Sequence, residues 1–358
     1  MKNLLFVPIV IFMAFIWAPA IQMCGQFYKE FEDADKRVLA GPPEWGPSVI
    51  SRFAKESEDY VDDHFGFRPD LIRWNILMRI RLFGVAPLRS VIVGKDSWLF
   101  YRSEVLDDGD SMNDFMGSVP LSEAALENLR MRIEENNRKF AETGIKYIVV
   151  IAPNKSTVCS EYLPDRFARN RSRTRLEQFC DYMDRRSSVK VLNLSNSMLK
   201  QKSNLPLFWA TDSHWNSLGA YVAYREIVKA ISDFYPNTRL IELAGEVAVK
   251  RRANGGDLAQ ILFIQDVWPE KNETVFQVDS KRMPAPLEKL VFRHDSFGDS
   301  LYPYLTKHFR KIVNAATFAP FRFEAISRER PEIVLHLFAE RYLMQAVHDD
   351  FYYREPGY

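Results

Sequence analysis

The chain of 358 residues carries 48 lysines and arginines against 47 aspartates and glutamates, a formal net charge of +1. Proteins that bind nucleic acids usually concentrate a basic excess, so this balance argues against that class. Hydrophobic residues make up 47% of the chain and charged residues 27%, which is typical of globular proteins and excludes general disorder. Three cysteines are too few for a disulfide scaffold, and the sequence leaves open whether Cys159 and Cys180 pair or stay free.

The first predicted element is an apolar segment at the amino terminus. Leu4–Met23 holds no charged residue, and about twenty helical residues cover the hydrocarbon core of a bilayer. A cleaved signal peptide is the alternative, although Ala18-Pro19-Ala20 matches the usual cleavage pattern poorly. The flank Lys29–Asp33 is acidic on balance and does not favour retention in the cytoplasm. We therefore predict that residues 1–28 are a membrane anchor or signal segment, with the rest of the chain outside the cytoplasm.

Residues 29–110 are predicted to form a helical lead-in followed by a hairpin. Two β-type runs, Ser90–Val93 and Trp98–Tyr101, flank the polar stretch Gly94–Ser97, which indicates the hairpin. The aromatic cluster of the second run is expected to pack in a core, with a sugar-binding platform as the alternative. Helical spacing is shown by the apolar residues Leu71, Trp74, Leu77, Met78 and Ile80.

Residues 111–350 alternate between helical and strand patterns. A long amphipathic helix is predicted over Leu121–Gly144, with the glycine as its carboxy-terminal cap. Strands that alternate with helices favour an α/β fold of three layers, α/β/α, around a mostly parallel sheet. The stretch 250–281 interrupts this rhythm and is interpreted as an insertion or a long active-site loop. Strands covered on both faces are predicted by four apolar, β-branched runs at residues 145–152, 189–194, 289–293 and 333–338.

The first chemical motif is a serine just after the third of these runs. In α/β sheets active-site groups lie at the carboxyl ends of strands, and Ser296 occupies that place. A helix is predicted from about Tyr302 to Val313, so that Ser296 faces a helix amino end, where a developing oxyanion is favoured. The alternative is that Asp295-Ser296 only caps that helix.

A serine needs a base, since its hydroxyl is almost un-ionised at neutral pH. The best candidate is His214, because Asp212 lies two residues before it and can hold one imidazole nitrogen while the other faces a nucleophile. Asn216 begins a predicted helix, which puts His214 on a turn. Asp-x-His alone also fits a metal pair, a cap or a core histidine. The catalytic interpretation depends on Ser296 and His214 occurring together.

Other polar residues support weaker predictions. Asn154 and Lys155 follow the first strand, where they are expected either to touch substrate or to cap the next turn. Asp257 is expected to bind substrate or to close a loop. No group of histidine, cysteine and aspartate has the spacing of a metal site, so no metal is expected. Among other histidines, His64, His308 and His348 are expected on solvated faces and His336 in the core.

Taken together, these motifs resemble a known family. Asp295-Ser296-Phe297 is similar to the nucleophile block of SGNH hydrolases. Thr211–Trp215 is similar to the Asp/His block of the alginate O-acetyltransferase group and of the related proteins named for a D-H-H-W motif. The serine block follows the Asp/His block, which is the circularly permuted order of that group. Further matches lie at residues 63–68, 94–101, 152–155, 161–164, 256–259, 330–334 and 340–341, so that the resemblance covers roughly residues 50–345.

The resemblance implies a triad of Ser296, His214 and Asp212. Tyr302 lies where relatives carry a tyrosine near the oxyanion hole, six residues past the serine. Arg341 lies at the strand end where ordinary SGNH enzymes carry an Asn-Asp block, which implies that it binds an acceptor or orients the site. Two departures from the family pattern, a serine at position 97 and a cysteine at position 159, put local loop geometry in doubt but lie outside the triad.

The resemblance also implies a function. It indicates an O-acetyltransferase that acts on an exopolysaccharide or another envelope glycan through an acetyl-serine intermediate, with no cofactor. Because acetyl-CoA is not available outside the cytoplasm, it implies a membrane-bound O-acyltransferase partner that passes acetyl groups across the bacterial inner membrane to a domain in the periplasm. Two alternatives remain open: a carbohydrate acetylesterase with the same triad, and a non-catalytic glycan-binding or assembly subunit.

Overall fold

The computed structural model describes residues 6–28, 38–46, 50–105, 109–169, 172–202, 205–250, 254–270, 273–278, 287–316 and 322–347. The chain divides into two compact units, one built mainly from Met1–Pro87 together with Leu262–Ile264, and a larger one built from residues 88–261 and 265–354. All the residues predicted to carry chemistry belong to the larger unit.

The amino-terminal unit contains, among its described residues, the helices α1 (Phe6–Gly25), α2 (Ile50–His64) and α3 (Arg68–Phe83). The helix α1 is long and apolar enough to cross a membrane, with a mean hydropathy of 2.0. A signal sequence near an amino terminus meets the same criteria. Pro19 lies inside α1, and membrane helices tolerate proline. The predicted apolar element is therefore present.

The junction between α2 and α3 lies against the last turns of α1. A Cβ atom on Gly66 would lie 2.2 Å from the carbonyl oxygen of Pro19 and 2.8 Å from Cβ of Gln22, so only glycine fits there. Phe67 adopts a left-handed conformation with φ of 63°. Its ring centroid lies 6.0 Å from that of Tyr28. These contacts place the start of α3 beside the carboxyl end of α1.

The helix α3 confirms the predicted helical spacing, but only part of the apolar pattern is buried. Ile76 and Ile80 are 4% exposed. Three of the predicted apolar positions, Leu71, Trp74 and Met78, are instead 50%, 65% and 51% exposed. The apolar spacing therefore predicted the helix correctly, but it did not identify which face of the helix is buried.

The larger unit begins with the predicted hairpin, β1 (Val91–Val93) paired antiparallel with β2 (Leu99–Tyr101). Trp98 and Phe100 are buried, so the aromatic cluster packs in the core as expected. The elements that follow are β3 (Glu104–Val105), β4 (Gly109–Asp110), α4 (Ser111–Phe115), α5 (Glu123–Glu142), β5 (Lys146–Ala152), α6 (Lys155–Val158), α7 (Arg175–Arg186), β6 (Val191–Asn193), α8 (Ser195–Gln201), α9 (Ser217–Ser232), β7 (Leu243–Lys250), α10 (Asp257–Ile261), β8 (Glu273–Val278), β9 (Leu287–His294), α11 (Tyr302–Leu305), β10 (Phe309–Ala316), α12 (Phe323–Glu329), β11 (Ile333–Ala339) and α13 (Leu343–Val347).

Five strands form a parallel sheet in the order β10-β9-β11-β5-β6. One face of the sheet packs against α8 and α9, and the other packs against α5 and α7. The central strands β5 and β11 are buried on both faces except at Lys146, which is why their sequences are apolar at nearly every position. The predicted α/β fold with helices on both sides of a mostly parallel sheet is confirmed.

The prediction of one helix from Tyr302 to Val313 was wrong. A 3₁₀ helix over Ser296–Leu301 leads into the short helix α11, and β10 then pairs with β9 in parallel. The β-branched pair Ile312-Val313 favours an extended backbone. Exposed Arg310 and Lys311 suit an edge strand, because charged residues there discourage pairing with another chain. The sequence pattern merged a short helix and a strand into one element.

The histidine predictions have mixed outcomes. His308 is buried rather than solvated, because its Nε2 lies 2.7 Å from the hydroxyl of Tyr224 inside the core. Burial lowers the pKa of His308 to about 4. His336 lies in the core as expected, with Nδ1 3.0 Å from the hydroxyl of Tyr147, and His348 lies outside the described residues.

All three cysteines are free thiols. Burial raises the pKa of both Cys159 and Cys180 to about 12. These thiols are therefore protonated at neutral pH. Of the two alternatives left open by the sequence, Cys159 and Cys180 are unpaired.

Candidate active site

Polar residues follow the carboxyl ends of three neighbouring strands, along one edge of the sheet. Ser296 follows β9, Arg341 follows β11, and Asn154 and Lys155 follow β5. Because these strands are adjacent and parallel, their carboxyl ends meet at the same edge of the sheet.

Ser296 is exposed at the start of its 3₁₀ helix, between buried neighbours. The carboxylate of Asp295 fixes this turn by accepting hydrogen bonds from the N–H groups of Phe297 at 3.0 Å and Ala339 at 2.7 Å. At Gly298 a Cβ atom would lie 2.3 Å from the ring of His294, so a larger residue would displace the turn. The serine is thus held at the strand end by its own neighbours and by β11.

The loop of residues 207–216 brings His214 to this serine. Its Nε2 lies 2.7 Å from Oγ of Ser296, and its Nδ1 lies 2.8 Å from Oδ1 of Asp212. The same Oδ1 accepts a hydrogen bond from the backbone N–H of His214 at 3.0 Å. The structure therefore brings together the three residues predicted as a triad, in the order that activates a hydroxyl by general-base catalysis.

Asp212 and His214 shift each other's pKa. Burial raises the pKa of Asp212, but the hydrogen bond and charge of His214 outweigh burial and lower the pKa to about 2. Burial lowers the pKa of His214, but hydrogen bonds to Asp212 and Asp257 outweigh burial and raise the pKa to about 9. Nδ1 therefore carries a proton, and Nε2 accepts the serine proton only when the imidazole is neutral.

A second carboxylate, Asp257 at the start of α10, braces the histidine loop. Its Oδ2 lies 3.4 Å from Nδ1 of His214. Its two oxygens accept hydrogen bonds from the N–H of Ser213 at 2.7 Å and from the hydroxyl of Ser213 at 2.5 Å. At Gly256 a Cβ atom would lie 2.4 Å from Cβ of Asp212. These contacts match the predicted role of Asp257 in closing a loop. They also place Gly256 and Asp257 directly against the loop that carries His214.

Lys155 also supports the histidine loop. Its buried ammonium group donates hydrogen bonds to the carbonyl oxygens of Leu99 at 2.6 Å, Ala210 at 2.8 Å and Asp212 at 2.9 Å. These bonds use all three ammonium hydrogens, so a supporting role replaces the predicted substrate contact. Burial lowers the pKa of Lys155 to about 8, while three carbonyl acceptors favour the charged form.

Glu270 was missed by the sequence analysis. This buried carboxylate accepts hydrogen bonds from the N–H groups of Ala210 at 2.7 Å and Thr211 at 2.8 Å, and from the hydroxyl of Thr211 at 2.5 Å. No local motif marks it, because its partners lie 59 and 60 positions away. The only available signal was its place in the stretch interpreted as a long active-site loop.

Asn154 presents an unused acceptor. Its backbone N–H donates to Oε2 of Glu340 at 2.8 Å, and its side chain makes no capping bond to α6. The buried Oδ1 has no hydrogen-bond partner among the described residues. Glu340 also accepts a hydrogen bond from the hydroxyl of Thr157 at 2.7 Å, and burial raises its pKa to about 7.

Tyr302 and Arg341 lie near the serine turn. The hydroxyl of Tyr302 lies 3.2 Å from Nε2 of His294. The guanidinium of Arg341 lies over the ring of Phe297, 5.2 Å from its centroid, and its Nε has no hydrogen-bond partner in the described part of the chain. The N–H groups of Phe297 and Gly298 both bond to Asp295, so neither points to an oxyanion as the predicted helix end implied.

Asp212, His214 and Asp257 have ligand atoms within 4.8 Å of one another, a grouping that the sequence spacing did not predict. The 2.8 Å separation between Nδ1 of His214 and Oδ1 of Asp212 is that of a hydrogen bond. Two ligands of one tetrahedral zinc ion, each about 2.1 Å from the metal, would lie about 3.4 Å apart. The geometry therefore suits a shared proton better than a shared metal ion.

The fold is that of an SGNH-hydrolase-like domain. A family profile described as "SGNH hydrolase-like domain, acetyltransferase AlgX" matches residues 91–299, more than half of the chain. The chain therefore belongs to this family. The matched region includes Asp212, His214 and Ser296.

Curated relatives carry the name "Probable alginate O-acetylase AlgJ". The protein from Pseudomonas aeruginosa is 24% identical over 229 residues, covering 60% of this chain and 53% of that protein. The protein from Pseudomonas putida is 25% identical over 181 residues, covering 51% and 44%. The chain thus spans about half the length of the curated relatives it matches.

Solved structures are also similar. Bacillus cereus PatB1 has a TM-score of 0.48 and 15% identity, with 71% of this chain and 96% of that chain covered. The O-acetyltransferase domain of Pseudomonas putida AlgJ has a TM-score of 0.45 and 18% identity, with 71% and 92% covered.

Proposed function

We propose that this protein is an O-acetyltransferase that modifies an exopolysaccharide or another cell-envelope glycan. The observation that carries the proposal is the 2.7 Å contact between Nε2 of His214 and Oγ of the exposed Ser296, with Asp212 on the other nitrogen. A non-catalytic subunit has no need to keep this geometry, so the contact argues against that alternative. Family membership and relatives named as alginate O-acetylases support acetyl as the group and a polysaccharide as the acceptor.

The reaction has two steps through one serine. Neutral His214 accepts the hydroxyl proton of Ser296 as Oγ attacks the acetyl carbonyl carbon of the donor, and the imidazolium returns that proton to the leaving group. The enzyme then holds an acetyl ester on Oγ. A sugar hydroxyl gives its proton to Nε2 and attacks the ester carbonyl, after which Ser296 leaves and recovers the proton. Asp212, ionised throughout, stabilises the imidazolium in both steps.

Tyr302, Arg341 and Asn154 are proposed to bind the reacting groups. The Nε of Arg341 and the Oδ1 of Asn154, which have no hydrogen-bond partner within the described ranges, provide a donor and an acceptor at the same edge of the sheet. Tyr302 is proposed to stabilise the oxyanion through its hydroxyl.

The acetyl donor is proposed to come from a membrane-bound O-acyltransferase. The helix α1 is proposed as a single-pass anchor in the inner membrane, with the larger unit in the periplasm. Acetyl-CoA stays in the cytoplasm, so a partner must carry the acetyl group across the bilayer.

The test replaces Ser296 with alanine and measures glycan acetylation in cells. We expect acetylation to be lost, whereas Ser118→Ala, which changes an exposed serine in the same unit, leaves acetylation intact. Unchanged acetylation in Ser296→Ala would overturn the proposal. The purified protein, given an acetyl ester with and without oligosaccharide, distinguishes transfer from hydrolysis, since an acetylesterase releases acetate and no acetylated sugar in both reactions.

A further inference from the structure

One face of α3 exposes a stripe of large apolar residues. Leu71, Trp74, Met78 and Leu82 recur at helical spacing and share this face. All four are exposed, whereas Ile76 and Ile80 on the opposite face are buried. The helix is therefore apolar on two sides, and the described residues of its own unit cover only one of them. Such a continuous exposed stripe is uncommon on a soluble surface and marks an interaction site.

Arginines flank this stripe. At about 100° per residue, exposed Arg79 and Arg81 fall on opposite sides of the apolar face. The whole helix carries four arginines against one acidic residue, Asp70. The helix α2 has the reverse charge balance: it carries five acidic residues, and Arg52 and Lys55 are its two lysine or arginine residues. Within this unit, the combination of basic and apolar side chains is thus concentrated on α3.

The position of α3 follows from its contacts with α1. Gly66, just before α3, approaches Pro19 and Gln22 in the last two turns of α1. The side chain of Gln22 forms hydrogen bonds with the backbone of Tyr28 just past α1, at 2.6 Å and 3.0 Å. If α1 spans a bilayer, its last turns lie at the boundary between acyl chains and headgroups, and α3 starts at that depth.

We infer that α3 is an interfacial helix that lies on the outer surface of the membrane, with its apolar stripe among the acyl chains and its arginines at anionic headgroups. The inference rests on the proposed membrane span of α1. Tryptophan and arginine are the residues that favour this boundary, since each combines an apolar body with a polar or charged end. Continuity with the span makes lipid, rather than a separate protein, the surface that meets the stripe.

The test uses the full-length protein in nanodiscs of phosphatidylcholine and phosphatidylglycerol, with tryptophan fluorescence quenched by brominated lipids. Bromine near the headgroup or near the bilayer centre reports two depths. We expect the emission lost in Trp74→Phe to be quenched more strongly by the shallow label. Emission lost in Trp17→Phe, inside α1, should be quenched more strongly by the deep label. Arg79→Glu with Arg81→Glu should weaken the shallow quenching, whereas the matched reversal in α2, Arg52→Glu with Lys55→Glu, should not.

The possible results separate the two proposals. If Trp17 is quenched by the deep label but Trp74 by neither, α1 spans the bilayer and the interfacial helix is wrong; a second copy of the chain covering the stripe would produce this result. If Trp17 shows no deep quenching, the anchor itself is wrong. Equal shallow quenching of Trp74 in discs without phosphatidylglycerol would overturn the role given to the arginines.

Discussion

The two halves of the candidate site are built in different ways. The serine turn is local: its contacts lie mainly among residues 294–298, with one bond to Ala339 on the neighbouring strand. The histidine loop is held by charged groups from distant parts of the chain, namely Lys155, Asp257 and Glu270. The turn is thus a property of a strand end, whereas the loop depends on the completed tertiary structure.

This difference explains which parts of the site could be predicted. Ser296 was identified because a buried strand ends just before it, and His214 because Asp212 lies two residues away. Lys155 was placed at the correct edge of the sheet, but its acceptors lie 55 to 57 positions away, so the role of its charge could not be inferred. Glu270 lies outside any periodic segment. Elsewhere, β10 was mistaken for a helix because local spacing does not report a neighbouring strand.

The largest expected effect tests the dependence of the loop on distant charge. Lys155→Met removes the hydrogen bonds from the ammonium group to the carbonyl oxygens of Leu99, Ala210 and Asp212. Ala210 keeps a bond from the N–H of Leu99, but the other losses should still cost about 3 kcal/mol in the free energy of unfolding. Acetyl transfer should fall with it, because two of these carbonyls, those of Ala210 and Asp212, belong to the loop that carries His214. Urea unfolding measures the first effect and acetyl-ester turnover the second. As a control, Lys202→Met removes a partly exposed lysine that also bonds a carbonyl oxygen and should cost under about 1 kcal/mol; equal costs would contradict the buried support.

The serine turn is tested by Gly298→Ala. Its new Cβ atom would lie 2.3 Å from the ring of His294, so the turn must shift, at a cost of about 1–3 kcal/mol. Ester turnover should fall even under conditions in which the variant remains folded, since Ser296 lies two residues away. Gly41→Ala, where a Cβ atom would meet nothing within 4 Å, is the control. Full activity in Gly298→Ala would show that the turn tolerates displacement.

A smaller effect is expected for Glu270→Gln. The amide oxygen can keep the two hydrogen bonds from Thr211, but the NH₂ group then faces the backbone N–H of Ala210, which should cost about 1–2 kcal/mol. Glu288→Gln removes an exposed partner of Arg310 and should have almost no effect. Thermal unfolding of both variants measures the difference, and similar melting temperatures would mean that Glu270 does not hold the loop.

The smallest effect concerns pH. Because the pKa of His214 is raised to about 9 and only neutral imidazole accepts the serine proton, kcat/KM should fall as the pH decreases below about 9. Asp257→Asn removes one of the two carboxylates that raise this pKa, so the acidic limb should move to lower pH and activity near neutral pH should rise several-fold. The pH–rate profile of both proteins is the measurement. An unmoved limb would exclude Asp257 as an electrostatic partner of His214.

The buried ammonium of Lys155 has a consequence for the timing of assembly. Its acceptors come from the hairpin strand β2 and from two positions of the histidine loop, so His214 can reach Ser296 only after these segments have met. A chain that is still extended therefore holds its serine and histidine apart. The proposed reactivity toward acetyl esters therefore requires β2, Lys155 and the histidine loop to be packed together.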